Sequence, residues 1–268
     1  MLRLPAVAGT FYPDHSRELS EQIQAFVQPH ENQEKISCRA CLVPHAGYMY
    51  SGHVAAAVYA RVALPQRIIV LGVRHFPRGA EAAILSEGVW RTPLGDVAVD
   101  HDLGARISGT CPLLSEDAVA HEREHSLEVQ IPFLQFLRPG FTFVPIALGT
   151  NRFDELVSIG ESIGNILSDE PGVLLLVTSD FNHYEDDATT RRKDRMAIDK
   201  ILQFDPRGLF DVCRKEEISM CGLGPAVAML TALGRVGSNQ AELVKYATSG
   251  DVSKDTSAVV GYAGFIFK

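Results

Sequence analysis

The chain has 268 residues, of which 46% are hydrophobic and 22% charged, a balance suited to a globular protein and unlike a disordered one. Its formal net charge of -8, with no Lys/Arg-rich run, argues against nucleic acid or an anionic membrane surface as a partner. No apolar run approaches membrane-spanning length, Pro5 and Gly9 interrupt any secretory signal, and five cysteines are too few and too odd in number for a disulfide framework, so the expected setting is a reducing cytoplasm.

In chain order, helix and strand signals alternate. Residues 17–27 predict a helix with Ser16 as its N-cap, and the polar residues 29–35 predict a loop rather than a domain linker, so that 1–268 reads as a single domain. A short apolar strand is predicted at 40–43 and a helix at 51–62 on the face of Val54, Val58 and Val62. The run Arg67-Ile68-Ile69-Val70-Leu71-Gly72 is too short for a helix and suits a strand buried on both faces. Residues 82–99 predict two short strands about the turn Thr92-Pro93-Leu94-Gly95-Asp96. A helix follows at 126–137, which Pro132 would kink or limit, then a strand at 141–147, a helix at 153–167 and a strand at 173–178. Helices are predicted at 188–203, 206–214 and 222–233, and strands at 241–248 and 258–267. This alternation predicts an α/β fold with a mainly parallel sheet covered on both faces. In such sheets ligands bind beyond the carboxyl ends of the strands.

Three predicted strands are followed at once by a histidine. They read Cys41-Leu42-Val43-Pro44-His45, Ile68 through Val73-Arg74-His75, and Leu174 through Ser179-Asp180-Phe181-Asn182-His183. Taken singly, each histidine reads as a loop residue with a satisfied hydrogen bond. Taken together, on one edge of a parallel sheet, they read as a site, because neutral imidazole ligates transition metals and titrates near neutral pH. The segment His121-Glu122-Arg123-Glu124-His125 matches the H-E-x-x-H pattern literally. Helix signals are weak before Ser126, so both histidines are placed in a loop, with His125 in the pocket and His121 outside it. Cys221 opens a glycine-rich entry to a helix and reads equally as a metal-binding thiolate or a small buried residue. Cys38 and Cys41 form a C-x-x-C pair without a second such pair, which reads as coincidence. Tyr48, Tyr50 and Ser51 are placed in a turn after His45, lining the pocket or capping the next helix.

Several segments resemble the motifs of the Memo family, in the family's order and across essentially the whole chain. They are Arg3 through Pro13, Pro44-His45-Ala46-Gly47-Tyr48 through Gly52, Arg91-Thr92-Pro93-Leu94-Gly95, Glu124-His125-Ser126-Leu127-Glu128, Ser179-Asp180-Phe181-Asn182-His183-Tyr184 and Cys221-Gly222. The resemblance implies a three-layer α/β/α sandwich with a mainly parallel, mixed central sheet, akin to class III extradiol dioxygenases, and a metal pocket at the strand ends. It implies His45, His75 and Cys221 as metal ligands, with Asp180, His183 and His125 in the same pocket. It also implies, for prokaryotic members, a system that includes a radical-SAM protein and an AMMECR-type protein. Two departures stand out: a thiolate replaces the carboxylate of the related dioxygenases, which makes copper or zinc plausible beside iron, and Arg74 precedes His75, its positive charge either suiting an anionic substrate in the pocket or pointing away from it.

The leading expectation is therefore a redox metal pocket, iron first and copper second, with His183 as general acid/base oriented by Asp180, His125 at the substrate or oxygen, and Tyr48, Arg74 and Arg91 at the substrate. Two others stand beside it. Zinc at the same ligands would activate water for hydrolysis with Glu124 or His183 as base. A non-catalytic pocket would bind a phosphorylated or acidic segment through Arg74, Arg91 and Arg123.

Overall fold

Three short, continuous apolar runs form the heart of the sheet, as their composition requires. Residues 1–268 are described by a computed structural model in which Arg67–Val73, Thr142–Leu148 and Val173–Thr178 lie side by side and parallel, buried along nearly their whole length. Ala40–Val43 adds a fourth parallel strand beside Val173–Thr178. Antiparallel strands close both edges: Val259–Phe267 beside Ala40–Val43, itself flanked by Ala241–Thr248 and His183–Glu185, and Ala82–Ile84 beside Thr142–Leu148 with Ser115–Glu116 outermost. The sheet is thus mixed with a parallel centre, as expected.

Alternation along each strand feeds two apolar layers. Ile69, Leu71, Leu175 and Val177 join the cluster that packs helices Phe153–Asp169 and Leu223–Arg235. Ile68, Val70, Leu174 and Leu176 join the opposite cluster, which packs helices Ser16–Val27, Tyr48–Tyr59 and Ile131–Leu137. Helices on both faces of one sheet make the three-layer sandwich.

The differences from the sequence expectations are local. The second helix begins at Tyr48 rather than 51, so Tyr48 and Ser51 sit in its first turn and Ser51 Oγ donates to the Ala46 carbonyl instead of capping. Ser16 is the first helical residue, and His15 stands at the cap without a side-chain bond. Pro132 occupies the first turn of Ile131–Leu137, where its missing N–H costs nothing, and splits that helix from His125–Glu128. Residues 82–99 supply three strands, since Ala82–Ile84 joins the main sheet while Val89–Thr92 and Gly95–Ala98 pair as a separate hairpin with Leu2–Arg3. Helix His101–Thr110 was not foreseen; Asp100 caps it by accepting from Leu103 N–H. No helix is long and apolar enough to cross a membrane.

Candidate metal centre

The parallel strands deliver their carboxyl ends to one edge. Val43 pairs with Thr178, and Leu71 with Val177, so the loops that carry His45, Asp180 and His75 leave the sheet at one level. The helical turn His125–Glu128 packs onto the end of Arg67–Val73, with Ser126 Oγ accepting from Val73 N–H and donating to the Val73 carbonyl. This close approach needs Gly72, where a Cβ would lie 2.7 Å from Ser126 Oγ. His125 is thereby brought against His75, their rings stacked at 4.4 Å, and His45 stands edge-on to both at 5.6 and 5.2 Å.

The donor atoms of His45, His75 and Cys221 all fall within 4.8 Å of one another. His45 Nδ1 meets Thr178 Oγ1 at 2.9 Å, and its Nε2 faces Cys221 Sγ at 3.2 Å. His75 Nδ1 donates to Glu124 Oε1 at 2.9 Å, which leaves its Nε2 as the lone-pair nitrogen. Burial, seconded by the neighbouring His75 ring, lowers the His45 pKa to about 3, so the His45 ring is neutral and able to ligate. Burial and the neighbouring Asp180 push the Cys221 thiol up; a metal would have to displace its proton. Two oriented imidazoles and a buried thiol, each with a donor atom turned to one point, fit a transition metal. The group His75, Glu124 and His125 also clusters. It fits a metal less well, because the Glu124 oxygens already accept from His75 N–H at 2.6 Å, His75 Nδ1–H and Ser126 N–H at 2.8 Å.

A pocket of about 360 Å³ opens over the histidines, walled by Phe11, His125, Asp180, His183, Tyr184 and Val260 among others. Burial takes His125 down to about 4, so it faces the pocket as a neutral ring. Burial raises the Asp180 carboxyl, against the His45 N–H that it accepts at 2.8 Å. His183 is in the pocket but is not oriented by Asp180. Its Nδ1 donates to the Ser219 carbonyl at 2.9 Å, which directs the Nε2 lone pair elsewhere. A bulge between His183 and Glu185, with Tyr184 at φ 63, sets the ring's direction.

Three expected substrate contacts lie outside this pocket. Tyr48 is buried, and its hydroxyl donates to the Val129 carbonyl at 2.6 Å. Arg91 sits on the separate hairpin, paired bidentately with Asp96. Arg74 continues the ladder through its N–H to the Leu148 carbonyl, so its side chain leaves the strand opposite to that of His75. Glu124 is not a free base but the group that orients His75. His121 is buried away from the pocket, as expected, with neither ring nitrogen hydrogen-bonded. The residues that sequence reasoning missed are Thr178, Ser219 and Phe11; the last lies tilted against His125 at 4.8 Å and carries no signal of its own beyond membership of the Arg3–Pro13 segment.

That segment is held by one buried carboxylate. Glu128 accepts from Ala6 N–H at 2.8 Å, Val7 N–H at 3.0 Å, Tyr12 Oη–H at 2.6 Å and the Arg3 guanidinium. Arg3 also donates to the carbonyls of His121 and Glu124 and lies over the Trp90 ring at 4.1 Å. The N-terminal residues therefore serve the site by fixing Phe11 and the Glu124–His125 turn.

Both the sequence and the fold have counterparts among known proteins. The family described as Memo-like protein matches residues 3–266. A MEMO1 family protein of Methanopyrus kandleri is 37% identical over 281 residues, covering 100% of this chain and 99% of its own, and one of Pyrobaculum arsenaticum is 41% identical over 278 residues, covering 99% of each. In fold, an uncharacterized protein of Escherichia coli K12 superposes with a TM-score of 0.56 at 12% identity, over 85% of this chain and 98% of that one. With identity sustained from end to end and the pocket residues gathered at one sheet edge, the chain belongs to the Memo family.

Proposed function

We propose that the chain is a metal protein with a redox centre, iron or copper, at His45, His75 and Cys221. The observation that supports it most is the convergence of three donor atoms within 4.8 Å, each histidine already engaged through its other nitrogen. Iron or copper in this donor set would supply electron transfer. The protein's own groups do the rest. His183 offers Nε2 to take up or return a proton, with the Ser219 carbonyl holding its Nδ1–H. Neutral His125 lies between the ligands and Phe11 and offers a hydrogen bond to a bound substrate. Asp180 holds the His45 backbone in place. Phe11, Tyr184 and Val260 form the apolar part of the pocket wall. The five unpaired cysteines favour a reducing, cytoplasmic setting.

Hydrolysis through zinc would use the same ligands, but Glu124 has no oxygen to spare as its base, which leaves His183. Capture of a phosphorylated segment finds no lysine or arginine in the wall of the histidine pocket. The test is metal analysis of anaerobically purified protein beside Cys221→Ala. Near-stoichiometric iron or copper that is lost in the variant is the expected result. Zinc, with zinc-dependent ester or peptide hydrolysis, would replace the redox reading by the hydrolytic one. Full metal occupancy in Cys221→Ala would overturn the ligand set.

A further inference from the structure

The metal ligands stand on a partition between two cavities. His45 lines the histidine pocket, Cys221 lines a second cavity of about 300 Å³, and His75 lines both. The second cavity lies on the side of the sheet edge to which Arg74 turns, and its wall includes Arg74, Gly149, Thr150 and Asn151. No Asp or Glu is part of that wall. The carboxylate that Thr150 contacts, Glu155, is paired with Arg152. Arg74 has no carboxylate partner. Its Nη1 donates to the carbonyls of Arg78 and Gly79 at 3.3 Å each, and its buried Nε has no acceptor. A part-buried guanidinium without a counter-charge is unfavourable by itself, and its planar fork matches a carboxylate or phosphate. A volume near 300 Å³ is at the small end of ligand sites.

We propose that this second cavity is a binding site for a small oxyanion, or for the carboxylate or phosphate end of a small ligand, held by Arg74 next to Cys221 and His75. Such a ligand would approach the metal ligands from the side opposite the histidine pocket, so that two partners of one reaction could occupy separate chambers. The inference rests on the metal reading for its purpose, while the anion site itself can be tested without metal.

The test uses metal-free protein and the Cys221 thiol as reporter, alkylated by anionic iodoacetate or by neutral iodoacetamide and read by peptide mass spectrometry. In both reactions the thiolate sulfur displaces iodide from the reagent's CH2 carbon, so the ratio of the two rates cancels any change in thiolate fraction. Arg74→Gln should lower the iodoacetate-to-iodoacetamide ratio by roughly tenfold. Asn151→Asp, at an exposed position in the same wall, should lower it as well. Inorganic phosphate or acetate should slow the iodoacetate reaction in the native protein beyond chloride at equal ionic strength, and the more effective of the two identifies the ligand group. An unchanged ratio in both variants, or protection no greater than that by chloride, overturns the anion site. If Cys221→Ala leaves metal binding intact while the ratio shifts as expected, the metal reading falls and the anion site stands.

Discussion

Replacing Glu124 by Gln preserves the side chain's size and removes one acceptor from a site that uses both. Three N–H groups converge on its two oxygens: His75 Nδ1 and Ser126 N on Oε1, and His75 N on Oε2. If the Gln oxygen takes the Oε1 position, its NH2 opposes the His75 N–H, and a buried donor is orphaned at about 1–3 kcal/mol. If the amide is turned the other way, its NH2 faces His75 Nδ1. That ring can then accept only by moving its proton to Nε2, the nitrogen a metal needs. In the first arrangement the ring keeps its acceptor while the backbone beneath it loses one, and in the second the ring itself loses its acceptor, so His75 is held less firmly in both. Losing such a partner typically lowers metal affinity 10- to 100-fold, about 1.4–2.7 kcal/mol. The assays are competition for zinc against a chromophoric chelator, urea unfolding of the metal-free protein, and nitrogen NMR shifts of the His75 ring to report its tautomer. Glu124→Gln should weaken zinc binding by that factor and lower metal-free stability as well. Lost stability with unchanged zinc affinity would refute the reasoning, because Glu124 would then act only as the cap of the turn at His125.

Three further outcomes follow from buried charge and strained backbone. Burial pushes the Asp194 carboxyl up to about 7, against the hydrogen bonds from Tyr246 and Asn182 N–H; with the folded value above the unfolded one, stability must fall as pH rises from about 4 to about 7 and stay low above that. Asp194→Asn keeps both partners, so in urea unfolding that slope should vanish and the variant should gain up to about 4 kcal/mol at pH 8; an unchanged slope would show that another group carries it. Arg3→Met strands the buried Glu128 carboxylate and should cost about 3–5 kcal/mol in the same measurement, and a loss below 1 kcal/mol would mean that water reaches Glu128. Tyr184 holds φ 63 with its side chain 79% exposed, so Tyr184→Gly should relieve backbone strain and leave stability equal or raised by roughly 1 kcal/mol; a clear loss would show that the ring packs.

The residues that were legible and those that were not divide along physical lines. Strands such as Val173–Thr178 were legible because burial on both faces leaves an unbroken apolar run. The three histidines were legible because a parallel sheet sends its strand ends to one edge. Helix His101–Thr110 was not, since it buries only Leu103, Gly104 and Ile107 and so shows too short an apolar stripe to register, although Asp100 was a readable cap. Thr178 and Ser219 were illegible in a different way. Each orients a histidine through a partner distant in sequence, and nothing local distinguishes such a hydroxyl or carbonyl from any other.

Motif membership misled where it was taken to mean contact with substrate. Tyr48 and Arg91 belong to recognisable segments, yet one is committed to the Val129 carbonyl and the other to Asp96. A fold requires fixed positions for its scaffold as well as for its chemistry, and Arg3, Tyr12 and Glu128 belong to the scaffold. Arg74 is the instructive case, because adjacency to His75 left both a shared pocket and a side chain pointing away open. In an extended chain neighbours diverge by half a turn, so a residue beside a ligand is the one least able to reach the same side. The same rule that removes Arg74 from the histidine pocket delivers it to the cavity behind Cys221, where its guanidinium, without a carboxylate partner, lies on the other side of His75 and Cys221. Period two carried one residue past the strand end puts Arg74 and His75 on opposite sides of the sheet edge, as the structure has them.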